Sequence, residues 1–248
     1  MSALTAVSPS LLADWVGTHR FSEADFRRML DEGIVQPDEP IEFLDGYVAL
    51  NRSVSVVPRE YFPRYVRLRR WTGADCEWMA RVGIVGSEDR CELLDGYLVN
   101  KMVQDTPHAS TGERFTEDLM RLVPAGWRVR IQLPLDLGDS VTEPDACVVR
   151  GGRRTFSERH PTAGDVGLVI EVSESTLSID RGFKKRLYAA AGIPVYWIVN
   201  LIDGVVEVCS DPTSTGYATR TDYRVGDMVP VVLDGIEIAR LPASEVLP

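Results

Sequence analysis

The chain has 248 residues, 44% of them apolar and 26% charged, an ordinary globular composition. That length suits one large domain, or one domain with an extension, and is ample for a real core. No run of about 18 apolar residues exists to cross a membrane, and the start MSALTAVSPSLLADW lacks the basic residues and apolar stretch of a secretory signal. A cytoplasmic protein without membrane contact is expected. Cys76, Cys91, Cys147 and Cys209 form no CxxC pair, and with only three histidines a structural zinc site is not expected. Free thiols in a reducing compartment fit better.

The net charge of −10 argues against a surface built for duplex DNA, which is usually basic. The charge is uneven. Residues 1–51 carry −6, whereas 52–70 hold six arginines (Arg52, Arg59, Arg64, Arg67, Arg69 and Arg70) against one glutamate. Those arginines either touch phosphate or neutralise the acidic segment beside them. Acidic metal ligands add negative charge that a bound cation would offset.

In chain order, the first element is a repeat. FSEADFRRMLDEGIVQPDEPIEFLDGYVALN (21–51) aligns without gaps on WTGADCEWMARVGIVGSEDRCELLDGYLVNK (71–101), with 11 of 31 positions identical. Each copy reads as a short helix, a glycine stop and a hairpin turning at Asp-Gly, the dipeptide that supplies the positive φ of a tight turn. Two copies are too few for a solenoid. The domain expectation is an N-terminal extension over 1–70 containing the first copy, and a main domain over 71–248. The extension covers a sheet edge, builds a dimer contact, or merely fills space.

Residues 108–122, HASTGERFTEDLMRL, place Phe115, Leu119 and Leu122 at helical spacing, before a stop at Pro124-Ala125-Gly126. Strand-like runs follow at 127–137, 146–150 and 166–172. The last, VGLVIEV, is nearly all apolar and β-branched, the mark of a strand buried on both faces. A helix over 178–191 closes at Gly192, YWIVNL (196–201) is another buried strand, and 204–210 pairs with it. The tail, 219–247, reads as short strands. A strand–helix–strand unit implies parallel pairing. The fold class expected is α/β, a mixed sheet flanked by helices.

Three polar groups interrupt this apolar frame. Asp145 enters a strand in Glu143-Pro144-Asp145, Glu171 ends the run Leu168-Val169-Ile170, and Lys184 lies on the next helix. A carboxylate on a buried strand is unfavourable unless paired. Two on neighbouring strands repel unless a cation sits between them. Mg²⁺ or Mn²⁺ suits two carboxylates plus water and phosphate oxygens, and would activate water for attack on phosphate, with a lysine assisting.

CELLDGYLV, the helix start at His108, RIQLPLDL, EPDACVV, VIEVSESTLSIDRGFKKRLYAAAGIPVYWIVN and VVEV together resemble the restriction endonuclease domain family widespread in bacteria, a branch of the PD-(D/E)xK nuclease superfamily. The resemblance implies a restriction-endonuclease-like fold and a metal-dependent endonuclease acting on DNA. Asp145 would be the motif's Asp and Glu171 its (D/E), both holding metal. Ser173 stands where the motif's lysine would be, and Lys184 on the following helix takes that place, with Tyr188 one turn later. On a helix 184 and 188 face one way, and Lys185 points about 100° aside. His108, Gln132, Ser173 and Tyr188 are candidates around the centre. Glu113 and Glu117 are weaker ones, better read as exposed, and Asp180 reads as a first-turn charge favoured by the helix dipole. A homodimer is expected. The alternative is a dimeric binding or regulatory protein on the same fold without cleavage.

Overall fold

The computed structural model describes residues 17–44, 46–50, 68–101, 106–152 and 154–248. They fall into two compact units. The first contains the described residues up to Lys101 together with Gly138–Thr142, and the second contains those from Thr106 to Leu137 and from Glu143 to Pro248. Both helix-hairpins lie in the first unit, so the divide comes at Lys101, not at residue 70.

Two helices stand 50 residues apart in the first unit, Glu23–Asp31 and Gly73–Arg81. Each opens on a capping box, Ser22 with Asp25 and Thr72 with Asp75, in which side chain and backbone satisfy each other's orphan N–H groups. Each closes on a glycine at positive φ, Gly33 at 70° and Gly83 at 72°. The residue after each glycine bonds back to a methionine carbonyl, Ile34 to Met29 and Ile84 to Met79. That Schellman pattern accepts glycine because no Cβ opposes the left-handed turn. The hairpins that follow are β1 (Ile41–Leu44) with β2 (Tyr47–Leu50), and β3 (Cys91–Leu94) with β4 (Tyr97–Asn100). β3 also meets a short strand at Val141.

The two helix-hairpins interlock reciprocally. Thr18, ahead of the first helix, bridges to Val99 of the second hairpin, and Leu68, ahead of the second helix, bridges to Ala49 of the first. Fifty residues separate Thr18 from Leu68 and Ala49 from Val99, so the pairing has the form of a pseudo-twofold. Their apolar residues form one cluster including Phe21, Met29, Val48, Trp71, Met79 and Leu98. Arg69 pairs with Glu39 at 2.8 Å and Asp75 at 3.5 Å, and Arg70 with Asp95 at 3.1 Å. These two arginines neutralise neighbouring acids, one of the two readings of the basic stretch. Arg52, Arg59, Arg64 and Arg67 lie outside the described residues.

The second unit is built on a six-stranded sheet. Its strands are β5 (Trp127–Ile131), β8 (Ala146–Arg150), β9 (Val166–Ser173), β10 (Val195–Asn200), β11 (Val205–Thr213) and β12 (Gly216–Tyr223); the short strands β6 (Leu135–Asp136) and β7 (Val141–Thr142) lie outside it. The spatial order is β12-β11-β10-β9-β8-β5. β9 and β10 run parallel and every other pair is antiparallel, the mixed sheet expected of the sequence. All eight residues of β9 are buried, because both faces are covered. One face packs Leu168, Ile170, Val172 and Trp197 under Phe115 and Leu119 of the helix Thr106–Leu122 and under the hairpin Met228–Leu233/Ile236–Pro242. Each such fully buried side chain contributes about 1.5–3 kcal/mol. The opposite face packs Cys147, Val169, Tyr196 and Ile198 under Tyr188 and Ile193. The tail is therefore one long sheet strand, a separate hairpin and a last helical turn, Ala243–Val246.

Candidate active site

Strand register assembles the site. Ile131 stands opposite Ala146, and Ala146 opposite Ile170. One step further along β8 and β9 brings Asp145 and Glu171 into one row. Ile198 pairs with Glu171, and Glu207 with Ile198, continuing the row across β10 and β11. Side chains alternate between faces, so this row shares the face of Cys147 and Val169, beneath the segment that follows β9.

That segment is not one regular helix, as the sequence suggests. A short α-turn at Leu177–Ile179 passes into a π-helical stretch, Asp180–Lys184, and then into the α-helix Lys185–Ala190. A wide π-turn re-aims side chains and is frequent at functional sites. Here Lys184 Nζ reaches Glu171 Oε1 at 2.9 Å, and the Tyr188 hydroxyl donates to the same oxygen at 2.7 Å. Glu171, Lys184 and Tyr188 are all buried. The backbone N–H of Val172 donates to Asp145 Oδ2 at 2.8 Å, so the Asp145 carboxylate lies against the backbone beside Glu171. The structure thus brings Asp145, Glu171, Lys184 and Tyr188 together. Lys185 is only partly buried, and its charge is felt at Cys209.

Four polar contacts pin the segment to the sheet, and two were invisible in the sequence. Asp180 is not an exposed first-turn charge. It is 2% exposed, and its Oδ2 accepts from Ser173 Oγ and Thr176 Oγ1, both at 2.7 Å, while Oδ1 lies 3.9 Å from Lys184 Nζ. Burial pushes its carboxyl above the ordinary range, although Lys184 and the two hydroxyls favour the charged form. Asp145 adds to the upward push, which places its charge within reach. Arg181 Nε donates to the buried Glu207 at 2.8 Å, and Arg181 Nη2 reaches Asp203 at 2.9 Å. Glu207 also holds Arg220 at 3.2 Å and Asn200 at 3.0 Å. The signal for this pin was the Glu in GVVEVCS, whose i, i±2 neighbours Val205 and Cys209 are core residues.

Ser173, where the superfamily motif would carry lysine, is fully buried and serves Asp180. Gln132 has its side chain exposed and its backbone at φ 47°, a left-handed turn uncommon for a residue with a Cβ. Its N–H points to the carbonyls of Pro144 and Asp145, each at 3.2 Å, so its backbone bends the edge strand around the entry to β8. Glu117 is exposed and pairs with Arg121 at 3.4 Å. The side chains of His108 and Glu113 lie outside the described residues, although the helix that carries them is described. Cys147 lies in the same face, and burial holds its thiol up at about 12, so it is protonated and inert.

Among the described residues no cluster of three or more His, Cys, Asp or Glu side chains could hold a metal. Asp145 and Glu171, two hard oxygen donors on adjacent strands, fit a cation that takes one or two protein carboxylates and keeps waters, as Mg²⁺ and Mn²⁺ do.

Comparison with known proteins bears on fold and family. No curated protein matches the chain. Among solved structures it resembles one described as a putative nuclease belonging to DUF820, from Anabaena variabilis, with a TM-score of 0.52 and 16% identity over 67% of this chain and 94% of that one. At that identity the likeness is one of fold. A family model described as "Uma2: Putative restriction endonuclease" matches residues 77–241, from the second helix to the last hairpin. Its match covers well over half of the chain, which therefore belongs to the Uma2 family.

Proposed function

We propose that the chain is a Mg²⁺- or Mn²⁺-dependent endonuclease that hydrolyses phosphodiester bonds in DNA. The observation that carries the reading is the buried contact of 2.9 Å between Lys184 and Glu171, with the Asp145 carboxylate held against the next backbone N–H at 2.8 Å. Two carboxylates and an ammonium brought to one point of a covered sheet are a costly arrangement for packing alone. They suit phosphate chemistry, and the family's description points the same way.

Asp145 and Glu171 would hold the cation, which, when bound, polarises the phosphate and lowers the pKa of an attacking water. Tyr188 fixes the rotamer of Glu171 by donating to Oε1. Lys184 orients the water or stabilises charge developing on the phosphoryl oxygens. Asp180 holds the π-turn that aims Lys184. Four cysteines without a disulfide among them suit a reducing compartment.

A second reading, a binding or regulatory protein without cleavage, draws on the net charge of −10 and on Arg69 and Arg70 being engaged by acids. Calorimetric titration with Mn²⁺ and a cleavage assay on single- and double-stranded DNA separate the two. Under the first reading wild type binds and cuts, Asp145→Asn and Glu171→Gln bind no Mn²⁺, and Lys184→Ala binds without cutting. Metal binding without cleavage of either DNA, by the folded wild-type protein, would favour the second.

A further inference from the structure

The first unit carries an arrangement that the nuclease reading does not use. A small cavity of about 10 Å³ lies between the two helix-hairpins, lined by Thr18, His19, Phe21, Tyr47 and Val48 with Leu68, Arg69, Trp71, Tyr97 and Leu98. Every residue in the first group has its counterpart 50 positions later in the second. The cavity therefore sits where a twofold axis would pass. Contacts around it recur in pairs. Phe21 N–H donates to Gly46 O at 2.8 Å, and Trp71 N–H to Gly96 O at 2.7 Å. His19 N–H donates to Leu98 O at 2.9 Å, and Arg69 N–H to Val48 O at 2.8 Å. Arg20 stacks on Tyr47 and Arg70 on Tyr97. Phe21 and Trp71 meet edge to face at 5.6 Å.

A contact in which residue i touches j while the equivalent of i touches the equivalent of j is isologous, the form taken by twofold homodimers. Such a face is complementary to itself. One helix-hairpin alone leaves open its hairpin edge at residues 98–100, its leading strand at 68–70 and an apolar face centred on Trp71. Here the first copy covers all three.

We propose that the two helix-hairpins are a dimerisation element closed within one chain. The first copy occupies the face by which the second would bind another copy of this chain. The chain is accordingly a monomer at this face, and opening the first copy converts it to a homodimer. The proposal concerns this face alone and does not depend on the nuclease reading.

Two measurements on the full chain test it. Thr18 and Val99 are flanked by the His19–Leu98 and Asn100–Gly17 hydrogen bonds, which makes them a closely spaced antiparallel pair suited to a disulfide. Oxidised T18C/V99C, in a Cys91→Ser background, is expected to run as a single cross-linked chain on a non-reducing gel. Covalent dimers would overturn the closure within one chain. In sedimentation velocity, wild type is expected as a monomer, F21E/V48E as a dimer, and F21E/V48E/W71E as a monomer again. A wild-type dimer dissociated by Trp71→Glu, or a monomeric F21E/V48E, would overturn the proposal. Should F21E/V48E lose its helical circular dichroism, the milder Phe21→Ser is read by the same criterion, with dimerisation rising with concentration.

Discussion

The two units solve the problem of polar groups differently. In the helix-hairpin unit several backbone contacts occur twice, and its arginines are paired with acids: Arg69 on Glu39 and Asp75, Arg70 on Asp95. At its centre are apolar and aromatic side chains. In the sheet unit the polar contacts are single, and several are buried: Lys184 on Glu171, Ser173 on Asp180, Arg181 on Glu207. A repeated contact must satisfy both copies, which favours tolerant apolar packing. A catalytic centre needs one charge at one place, which only an asymmetric neighbourhood can hold. The difference separates a unit built by repetition from a unit built around single buried charges.

The contrast is broken most severely at the buried charges. Lys184→Met removes the ammonium and leaves Glu171 buried beside Tyr188. Loss of one partner of a buried pair is expected to destabilise by about 3–5 kcal/mol. Thermal unfolding of K184M at pH 7 checks this, and added Mn²⁺ should raise its melting temperature more than that of wild type. A variant as stable as wild type without metal would mean that the pair is solvated and ordinary.

An equal but symmetric loss is expected in the first unit. Phe21→Ala and Trp71→Ala empty equivalent positions on the two sides of the pseudo-twofold, each at about 3–5 kcal/mol. Because both serve one cluster, the double variant should lose less than the sum. Denaturant titration of the two single variants and the double gives the coupling. Strict additivity would show that the copies are independent.

The smallest expected effect is at the helix starts. Ser22→Ala and Thr72→Ala each remove a hydroxyl that accepts from the N3 backbone at 3.1 Å. Each should lower stability by about 1 kcal/mol. The two losses should match within error by the same denaturant measurement, since the capping geometry repeats. A loss at one site only would show that the copies share sequence without sharing energetics.

What the sequence determined by itself is what short-range physics controls. Ser22 and Thr72 start helices and Gly33 and Gly83 stop them, because orphan N–H groups and a positive φ are local demands. Asp95-Gly96 turns its hairpin at φ 48° and 78° for the same reason. The β-branched run around Val169 becomes a strand covered on both faces, and Glu171 stands out because a carboxylate in such a run needs a partner. Asp145 and Lys184 were legible beside it as a spacing shared with a family.

Tertiary structure alone decided which groups meet. Asp180 has the pattern of an exposed helix-start charge, and only the return of the chain over β9 buries it against Ser173. Arg181 reaches Glu207 across 26 residues because register sets Glu207 in the row of Glu171. The widening of the helix into a π-turn follows from holding Asp180, Arg181 and Lys184 to three sheet partners at once. The exchange of leading strands between the two helix-hairpins is equally absent from the repeat, since similar copies specify equal elements but not which copy completes which. Propensity and periodicity act over a few residues, whereas the partner of a charge or a strand edge is chosen by packing over the whole unit.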